Sequence, residues 1–288
     1  MGIQRVAILG AGGLGAAYGS QFLRGPGFVT QFIARGERGE RLRREGLVVN
    51  GEAITAPVID PDDDAAQTAD LILVALKQYH LQDALEELHA FVGEQTLILS
   101  VMNGLDSEEI LGDRYGMEKL LYAMALGIDA VREGNRIDYS AGGRIFFGEA
   151  QNEPRSEPVL RVKEALDRAG IPYEIPADMI RAMWRKFMIN VGINQASAVL
   201  RAPYGIFQTD EAAQAIMEAL MREAIAVANA EGVALDEADL QGWYDFLNTL
   251  SPAGKTSMMQ DVEAGRKTEV EIFGGKVVEL GRRHALPT

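Results

Sequence analysis

The sequence lacks cysteine altogether and has only three histidines in 288 residues. The absence of cysteine excludes disulfides, a thiolate nucleophile and zinc sites built on cysteine. His80, His89 and His284 are neither four residues apart nor part of an HExxH frame, which leaves a histidine-based metal site and a Ser-His-Asp triad unsupported. We therefore predict that the chain holds no metal.

Basic residues and long apolar runs are also scarce. Lys and Arg number 28 against 42 Asp and Glu, which gives a formal net charge of −14. Because this charge repels phosphate backbones and anionic headgroups, we expect no nucleic acid partner. Apolar runs such as Leu71 to Leu76 are far shorter than the roughly 18 residues of a membrane helix, and the N-terminus does not resemble a secretion signal. We predict no membrane segment and a cytoplasmic location.

The length and the hydrophobic pattern predict two domains, since a domain averages about 150 residues. In the first half, short aliphatic runs alternate with amphipathic stretches, which is typical of βαβ units and a largely parallel sheet. From Ser156 the pattern changes: one more helix and one more strand, around Tyr173, are followed by almost entirely helical periodicity, and we place the boundary near Pro176. The predicted fold class is α/β, with a Rossmann-type doubly wound sheet in residues 1–176 and an all-α domain in residues 177–288.

The main elements of the first domain can be placed individually. The predicted strands are Arg5 to Leu9, Phe28 to Ala34, Leu71 to Leu76, Thr96 to Val101 and Leu120 to Ala125. The predicted helices are Leu14 to Arg24, Glu37 to Glu45, Leu81 to Phe91, Asp106 to Arg114 and Val159 to Ala169. Asn50-Gly51 between two short apolar runs predicts a type I′ hairpin, which we interpret as a small insertion on the sheet.

A glycine loop directly follows the first strand and leads into the first helix. Its residues are Gly10, Ala11, Gly12, Gly13, Leu14 and Gly15. This strand, turn and helix context is the one that the GxGxxG fingerprint of dinucleotide-binding proteins requires. Gly10 permits the tight turn, Gly12 allows close approach of a pyrophosphate, and Gly15 allows the helix to pack on the strand. We expect the pyrophosphate at the positive N-terminus of the helix.

The residue that ends the second strand bears on the choice of cofactor. NAD-type sites usually have Asp or Glu there, to bind the ribose 2′-hydroxyl, whereas this chain has Arg35 with Arg38 nearby. A guanidinium suits the 2′-phosphate of NADP through a charge-assisted contact. The alternative is that Arg35 is a surface residue of the next helix. We predict NADPH as the cofactor.

Two further polar sites follow predicted strands. Lys77 follows the strand ending at Leu76, and Asn103-Gly104 follows the strand ending at Val101. Ligands of doubly wound sheets bind outside the carboxyl ends of the strands, so both positions are candidates for binding. Taken alone, the lysine is equally explained as a solvated residue and Asn-Gly as a turn.

A polar stripe stands out in the second domain. Lys186, Asn190 and Asn194 are spaced by four within a largely apolar helical stretch, and each step of four advances only about 40° around an α-helix. A desolvated lysine beside a nicotinamide is a reasonable general acid, because hydride transfer to a carbonyl leaves negative charge on oxygen. The asparagines can orient hydroxyls and carboxylates. The alternative is a solvent-facing stripe without a ligand.

Ser257 and Glu269 precede or open helical stretches near the end of the chain. As isolated residues, both are explained as simple helix caps. The ordered set is more specific than either residue alone. It comprises the glycine loop, Lys77, Asn103, the stripe of Lys186, Asn190 and Asn194, and finally Ser257 and Glu269. Taken together, these residues resemble the ketopantoate reductase (2-dehydropantoate 2-reductase) family over nearly the whole chain. The resemblance implies NADPH-dependent reduction of 2-dehydropantoate to (R)-pantoate, on the route to pantothenate and coenzyme A.

On the substrate side, the resemblance implies roles for four residues. Lys186 would donate the proton to the keto oxygen, Asn190 and Asn194 would hold the hydroxyl and the keto-acid end, and Ser257 would lie near the carboxylate.

On the cofactor side, the resemblance implies roles for four more residues. Asn103 would lie where the substrate and the nicotinamide ribose meet, and Lys77 and Ala130 would contact the cofactor. Glu269 would contact the cofactor and fix the geometry around the ribose and substrate.

The sequence departs from the family pattern in two places. Tyr204-Gly205 stands where the family commonly has Asn-Gly, at a position expected near the substrate. The sequence stops at Thr288, where family members usually continue into another helix, so we interpret the chain as trimmed or its cleft as less covered.

Three other functions stay open at this point. One is an NADP-dependent reductase of another branched 2-keto acid, and a second is a hydroxyacid or opine dehydrogenase. The third, from a different class, is a non-catalytic NADPH sensor, which would need neither Lys186 nor the asparagines. The long helices of the second domain could pair in a homodimer.

Overall fold

The chain divides into two compact units, and each is described by itself. The computed structural model describes residues 2–288. The N-terminal unit comprises Met1–Met179 and combines sheets with helices. The C-terminal unit comprises Ile180–Thr288 and contains helices and turns but no strand among its residues, all of which are described. The predicted α/β class, with a largely parallel N-terminal sheet followed by a helical region, is confirmed.

The described part of the N-terminal unit contains twelve strands and five α-helices. The strands are β1 (Arg5–Leu9), β2 (Val29–Ile33), β3 (Leu47–Val49), β4 (Glu52–Ile54), β5 (Val58–Ile59), β6 (Leu71–Val74), β7 (Leu97–Ser100), β8 (Leu120–Ile128), β9 (Val131–Glu133), β10 (Arg136–Asp138), β11 (Gly142–Gly148) and β12 (Tyr173–Glu174). The helices are α1 (Gly13–Arg24), α2 (Gly36–Glu45), α3 (Leu81–Ala84), α4 (Ser107–Tyr115) and α5 (Glu157–Ala169).

The main sheet has eight strands in the order β12-β11-β8-β7-β6-β1-β2-β5. All neighbouring pairs are parallel except β8 and β11. Strand β1 is buried on both faces because its side chains alternate between two cores. Val6 and Ile8 pack in a core with α1 and α5, while Ala7 and Leu9 pack in a second core with α3 and α4. Helices thus cover both faces, as in a doubly wound sheet.

The register of the sheet brings four strand ends to one edge. Leu9 of β1 lies opposite both Ile33 of β2 and Val74 of β6, and Val74 lies opposite Ser100 of β7. From β1 the chain proceeds in one direction to β2 and, later, in the other direction to β6 and β7. This reversal is the topological switch point at which doubly wound sheets bind ligands.

The predicted helix Leu81 to Phe91 does not form as one helix. It is replaced by the four-residue α3 between two 3₁₀ turns, Gln78–His80 and Leu85–Leu88. The reason lies in the spacing of its buried residues, because Leu85, Leu88 and Phe91 recur every three residues. A 3₁₀ helix has three residues per turn and therefore directs both Leu85 and Leu88 to the core, and Phe91 follows in the turn after it.

A second sheet accompanies the main one, with four strands in the order β4-β3-β10-β9. The predicted type I′ hairpin is confirmed, since both Asn50 and Gly51 have positive φ angles (49° and 80°). The hairpin is not an isolated insertion, because β3 also pairs in parallel with β10. Strands β9 and β10 were not predicted, since Ile137 is their one buried residue and so they show no hydrophobic alternation.

The described C-terminal unit is built from seven α-helices, one π turn (Asn190–Asn194) and one 3₁₀ turn (Val270–Ile272). The helices are α6 (Met179–Ile189), α7 (Gln195–Leu200), α8 (Tyr204–Thr209), α9 (Glu211–Ala230), α10 (Glu237–Leu247), α11 (Ser257–Glu263) and α12 (Gly274–His284), and α6 begins in the last residue of the N-terminal unit. Asp210 caps the long helix α9 by accepting a hydrogen bond from the Ala213 amide. Within residues 2–288, no helix has both the length and the apolar character that a membrane crossing requires.

Candidate functional site

The glycine loop connects β1 to α1 in a conformation that depends on its glycines. Gly10 has a φ of 106°, and a Cβ there would lie 2.5 Å from the Ala75 carbonyl oxygen. A Cβ at Gly15 would lie 1.8 Å from the Gly10 carbonyl oxygen, so the first turn of α1 packs against the loop itself. Neither position tolerates a side chain.

The start of α1 is open to a ligand. Gly12 occupies the N-cap position, and a Cβ built there would meet nothing within 4 Å. A glycine cap has no side chain that could accept hydrogen bonds from the first-turn amides. Those amides and the positive end of the helix have the chemistry to bind an anion such as the pyrophosphate of a dinucleotide.

Two arginines near the end of β2 are paired differently. Arg35 contacts Asp62 at 3.0 Å, and both side chains are largely exposed, at 43% and 67%. Arg38 donates to both oxygens of Glu87, whose side chain is only 10% exposed. An exposed ion pair contributes little, whereas separating Arg38 from Glu87 would leave a buried carboxylate unpaired. Arg35 is thus the arginine that can exchange its partner for a phosphate.

Lys77 and Asn103 lie beyond the ends of β6 and β7, and both are half-buried. A buried network supports the loop of Asn103: the Ser100 and Ser107 hydroxyls lie 2.7 Å apart, and Ser107 donates to Glu108 at 2.8 Å. Glu108 also accepts a hydrogen bond from the Ala123 amide in β8. The Ser107 hydroxyl thus joins the two ends of the loop, and the buried Glu108 carboxylate ties the second end to β8, a support that sequence reasoning missed.

Ala130 borders the glycine loop. A Cβ built on Gly13 would lie 3.1 Å from the Ala130 Cβ, so the segment between β8 and β9 packs against the start of α1. The N-terminal unit therefore gathers the glycine loop, Arg35, Lys77 and Asn103 at one edge of its sheet, with Ala130 against the loop.

The polar stripe of the C-terminal unit spans a change of helix type. Lys186 lies in the last turn of α6, and Asn190 and Asn194 are the first and last residues of a π turn. Lys186 and Asn190 are half-buried and Asn194 is buried. The sequence predicted a continuous α-helix here, and that expectation is wrong for the five residues Asn190–Asn194.

The π turn improves the alignment of the stripe. In an α-helix, four residues exceed a full turn by about 40°. A π turn has i→i+5 hydrogen bonds and more residues per turn, so four residues fall short of a full turn. The angular offset around the helix axis between Lys186 and Asn190 is therefore opposite in sign to the offset between Asn190 and Asn194. The three side chains share one face more closely than in a regular α-helix.

The start of α11 lies close to Asn194. Ser197 donates to the Asn194 carbonyl at 3.1 Å, and its hydroxyl lies 2.6 Å from the Thr256 hydroxyl. Thr256 is the N-cap of α11 and accepts from the Met259 amide. The interpretation of Ser257 as a simple cap is therefore wrong, because Thr256 has that role. Ser257 is the exposed first residue of α11.

Tyr204 packs against the loop that precedes Ser257. Its amide donates to the Gly254 carbonyl at 2.9 Å, and a Cβ on Gly254 would lie 3.0 Å from the Tyr204 ring. Burial raises the pKa of the Tyr204 phenol, which therefore stays protonated. Asn194, Ser257 and Tyr204 belong to one connected region of the C-terminal unit.

Glu269 is buried just before a 3₁₀ turn, Val270–Ile272. Five residues after Glu269, a Cβ on Gly274 would lie 2.3 Å from the Gln195 side chain, so this segment reaches the residue after Asn194. Among the described residues, no group of three or more histidine or acidic side chains is arranged to hold a metal ion.

Comparisons with known proteins point to one family. The family model described as ketopantoate reductase PanE/ApbA matches residues 6–152, and the model of its C-terminal region matches residues 178–288. A 2-dehydropantoate 2-reductase of Halobacterium salinarum is 29% identical over 289 residues, which cover 97% of this chain and 93% of the relative. The crystal structure of 2-dehydropantoate 2-reductase from Geobacter metallireducens is similar with a TM-score of 0.84 and 28% identity, covering 98% and 95% of the two chains.

A second enzyme is similar to this chain in its fold only. The structure of D-mandelate dehydrogenase with NADH and anilino(oxo)acetate has a TM-score of 0.88 at 18% identity and covers 99% of this chain and 94% of that one. The two family models, by contrast, match most of the chain and both of its units. The chain therefore belongs to the ketopantoate reductase family and is an oxidoreductase of the 2-dehydropantoate 2-reductase type.

Proposed function

We propose that this enzyme reduces 2-dehydropantoate to (R)-pantoate with NADPH, and that Lys186 is the proton donor. The observation that carries the proposal is the alignment of Lys186 with Asn190 and Asn194 through the π turn. A bound nicotinamide would supply hydride chemistry, and the Lys186 ammonium would donate the proton to the carbonyl oxygen of the substrate. The products are a hydroxy acid, oxidised cofactor and a neutral lysine, which water reprotonates.

Apart from Lys186, the groups that would hold the substrate are polar and carry no charge. Asn190 and Asn194 each offer an amide donor and a carbonyl acceptor, which suit a hydroxyl and a keto-acid group. Ser257 opens α11 beside the Ser197 and Thr256 hydroxyls and would bind the carboxylate. Because Asn194 is buried, its amide keeps a defined orientation toward the substrate.

The cofactor is held by the N-terminal unit. The first-turn amides after Gly12 would bind the pyrophosphate, and Arg35 would bind the 2′-phosphate in exchange for Asp62. Lys77, Asn103 and Ala130 border the same edge and the glycine loop, and Glu269 of the C-terminal unit would contact the ribose. The same proposal includes a cytoplasmic location and pairing of two chains in a homodimer.

A second candidate is a reductase of another branched 2-keto acid, and Tyr204 favours it. The phenol stands where the family commonly has asparagine, and it packs on the loop that leads to Ser257. The ternary structure of D-mandelate dehydrogenase, which has the same fold, contains NADH and anilino(oxo)acetate. A larger, less polar side chain changes which keto acid fits, because binding groups left unpaired reduce kcat/KM.

Oxidation of NADPH, followed by absorbance, separates these functions. 2-Dehydropantoate and a panel of other 2-keto acids are compared under identical conditions, each with NADPH and with NADH. We expect the highest kcat/KM with 2-dehydropantoate and NADPH. A higher kcat/KM with another acid, reversed toward 2-dehydropantoate by Tyr204→Asn, would establish the second candidate. Binding of NADPH without turnover of any acid would show a sensor instead.

A further inference from the structure

The hairpin of β9 and β10 contacts the glycine loop through Arg132. Its Nη1 donates to the Ala11 carbonyl at 2.8 Å, and its Nε donates to the Gly134 carbonyl at 2.8 Å. Arg132 is 121 residues from Ala11 in the sequence and was not among the predicted cofactor residues. Ala130, two residues earlier, packs against Gly13 of the same loop.

The hairpin that carries Arg132 is itself held in place. The Asp129 carboxylate accepts from the Ser140 and Ala141 amides, at 2.9 and 2.8 Å, and from the Ser140 hydroxyl. Burial acts to raise the pKa of Asp129, but these hydrogen bonds outweigh it and lower the pKa. Arg132 therefore extends to the glycine loop from a hairpin that is fixed by the hydrogen bonds of Asp129. The same hairpin pairs with β3 through β10.

The contact determines the orientation of one peptide in the loop. A trans peptide is planar, and its carbonyl and N–H point in opposite directions. Because Arg132 holds the Ala11 carbonyl, the Gly12 N–H of the same peptide is directed away from the arginine. A Cβ on Gly12 would meet nothing within 4 Å, so the chain has open space at this residue. A charged donor on the carbonyl also polarises the peptide and strengthens its N–H as a donor.

We propose that Arg132 is a positioning residue of the dinucleotide site, which fixes the Ala11–Gly12 peptide so that its N–H is ready for the pyrophosphate. This inference rests on the nicotinamide cofactor of the proposed function. Arg132 acts through the loop rather than through the 2′-phosphate or the reacting carbonyl. Its loss therefore affects NADPH and NADH alike.

Binding measurements on Arg132→Gln test the proposal. The dissociation constants of NADPH and NADH are both expected to rise about tenfold, the usual cost of losing a charge-assisted hydrogen bond. Adenosine 2′-monophosphate, which has no 5′-phosphate and so lacks both phosphates of the pyrophosphate, should bind as it does to the unchanged chain. The kcat at saturating NADPH should stay within about twofold, and Arg132→Lys should recover part of the lost affinity because it keeps a charged donor.

Arg136→Gln is the matched control, since Arg136 lies in the same hairpin and pairs with Asp138 on the surface. It should leave all three dissociation constants within about twofold. Unchanged dinucleotide binding by Arg132→Gln, or an equal loss for adenosine 2′-monophosphate, would overturn the positioning role while the proposed function stands. If the unchanged chain binds neither dinucleotide, both proposals fail together.

Discussion

Arg35 is the residue on which the proposed preference for NADPH depends. Its contact with Asp62 is exposed on both sides and contributes at most about 1 kcal/mol. A 2′-phosphate offers more acceptor oxygens and a bidentate geometry, so it replaces the carboxylate readily. Arg38 does not compete for this role, because the buried Glu87 holds it.

Arg35→Ala should weaken NADPH binding by about 10- to 100-fold and leave NADH binding nearly unchanged, because only NADPH carries the 2′-phosphate. Asp62→Asn should have the opposite effect and tighten NADPH binding a few-fold, since it removes the competing carboxylate. Titration of both variants with both cofactors measures these changes. An equal loss for NADH and NADPH in Arg35→Ala would show that the arginine supports the fold rather than the phosphate.

At the scale of single residues, sequence reasoning located groups at strand ends but could not see their partners. Arg35 and Asn103 follow apolar strands, and the parallel register brings those ends together. Glu108 and Arg132 were missed because the role of each depends on a distant contact, with Ala123 and Ala11 respectively. No local pattern marks an acid or an arginine whose partner lies elsewhere in the chain.

At the scale of elements, the π turn Asn190–Asn194 is the feature that organises the C-terminal unit. It lies against α9, and the contact requires glycine at position 192. A Cβ there would lie 2.4 Å from the Met221 Cγ and 3.0 Å from the Met217 carbonyl oxygen. Because the second atom belongs to the backbone of a 20-residue helix, it cannot move aside easily.

Gly192→Ala should therefore displace the π turn and misalign Lys186 with the asparagines. We expect a loss of about 1–3 kcal/mol in the free energy of unfolding, as for other overpacked sites. The kcat should fall at least about tenfold, because small displacements of positioned groups are costly. Denaturant unfolding and steady-state kinetics measure the two effects.

Gly275→Ala is the control for this substitution. Its Cβ would lie 3.6 Å from the Val270 carbonyl oxygen, which is an ordinary contact, and Gly275 is exposed in α12. Alanine should stabilise this helix by up to about 1 kcal/mol. Equal stability and kcat in Gly192→Ala and the unchanged chain would contradict the importance of the π turn.

The π turn is an element that the sequence could not predict. Strands such as β1 and β6 were predictable because continuous aliphatic runs need burial on both faces. Over five residues, however, an α-helix and a π turn bury nearly the same side chains, so periodicity does not separate them. What decides is the fit of Gly192 on α9, a contact between residues far apart in sequence.

At the scale of the whole molecule, the proposed chemistry is divided between the two units. The N-terminal unit carries the glycine loop, Arg35 and Asn103, which would bind the cofactor. The C-terminal unit carries Lys186, Asn190 and Asn194, which would bind and protonate the substrate. This division could be anticipated from the change to helical periodicity after Ser156 and from the ordered set of polar residues. The identity of the keto acid could not be anticipated from the sequence, because Tyr204 replaces the asparagine that is common in the family.

The most direct test of the account compares Lys186→Met with the unchanged chain in the reduction of 2-dehydropantoate by NADPH. Methionine keeps much of the length of lysine but cannot donate a proton. The account predicts a kcat lower by about 10²- to 10⁴-fold, the share of a positioned general acid, with NADPH binding within about twofold. An unchanged kcat would contradict Lys186 as the proton donor and, with it, the central claim about this site.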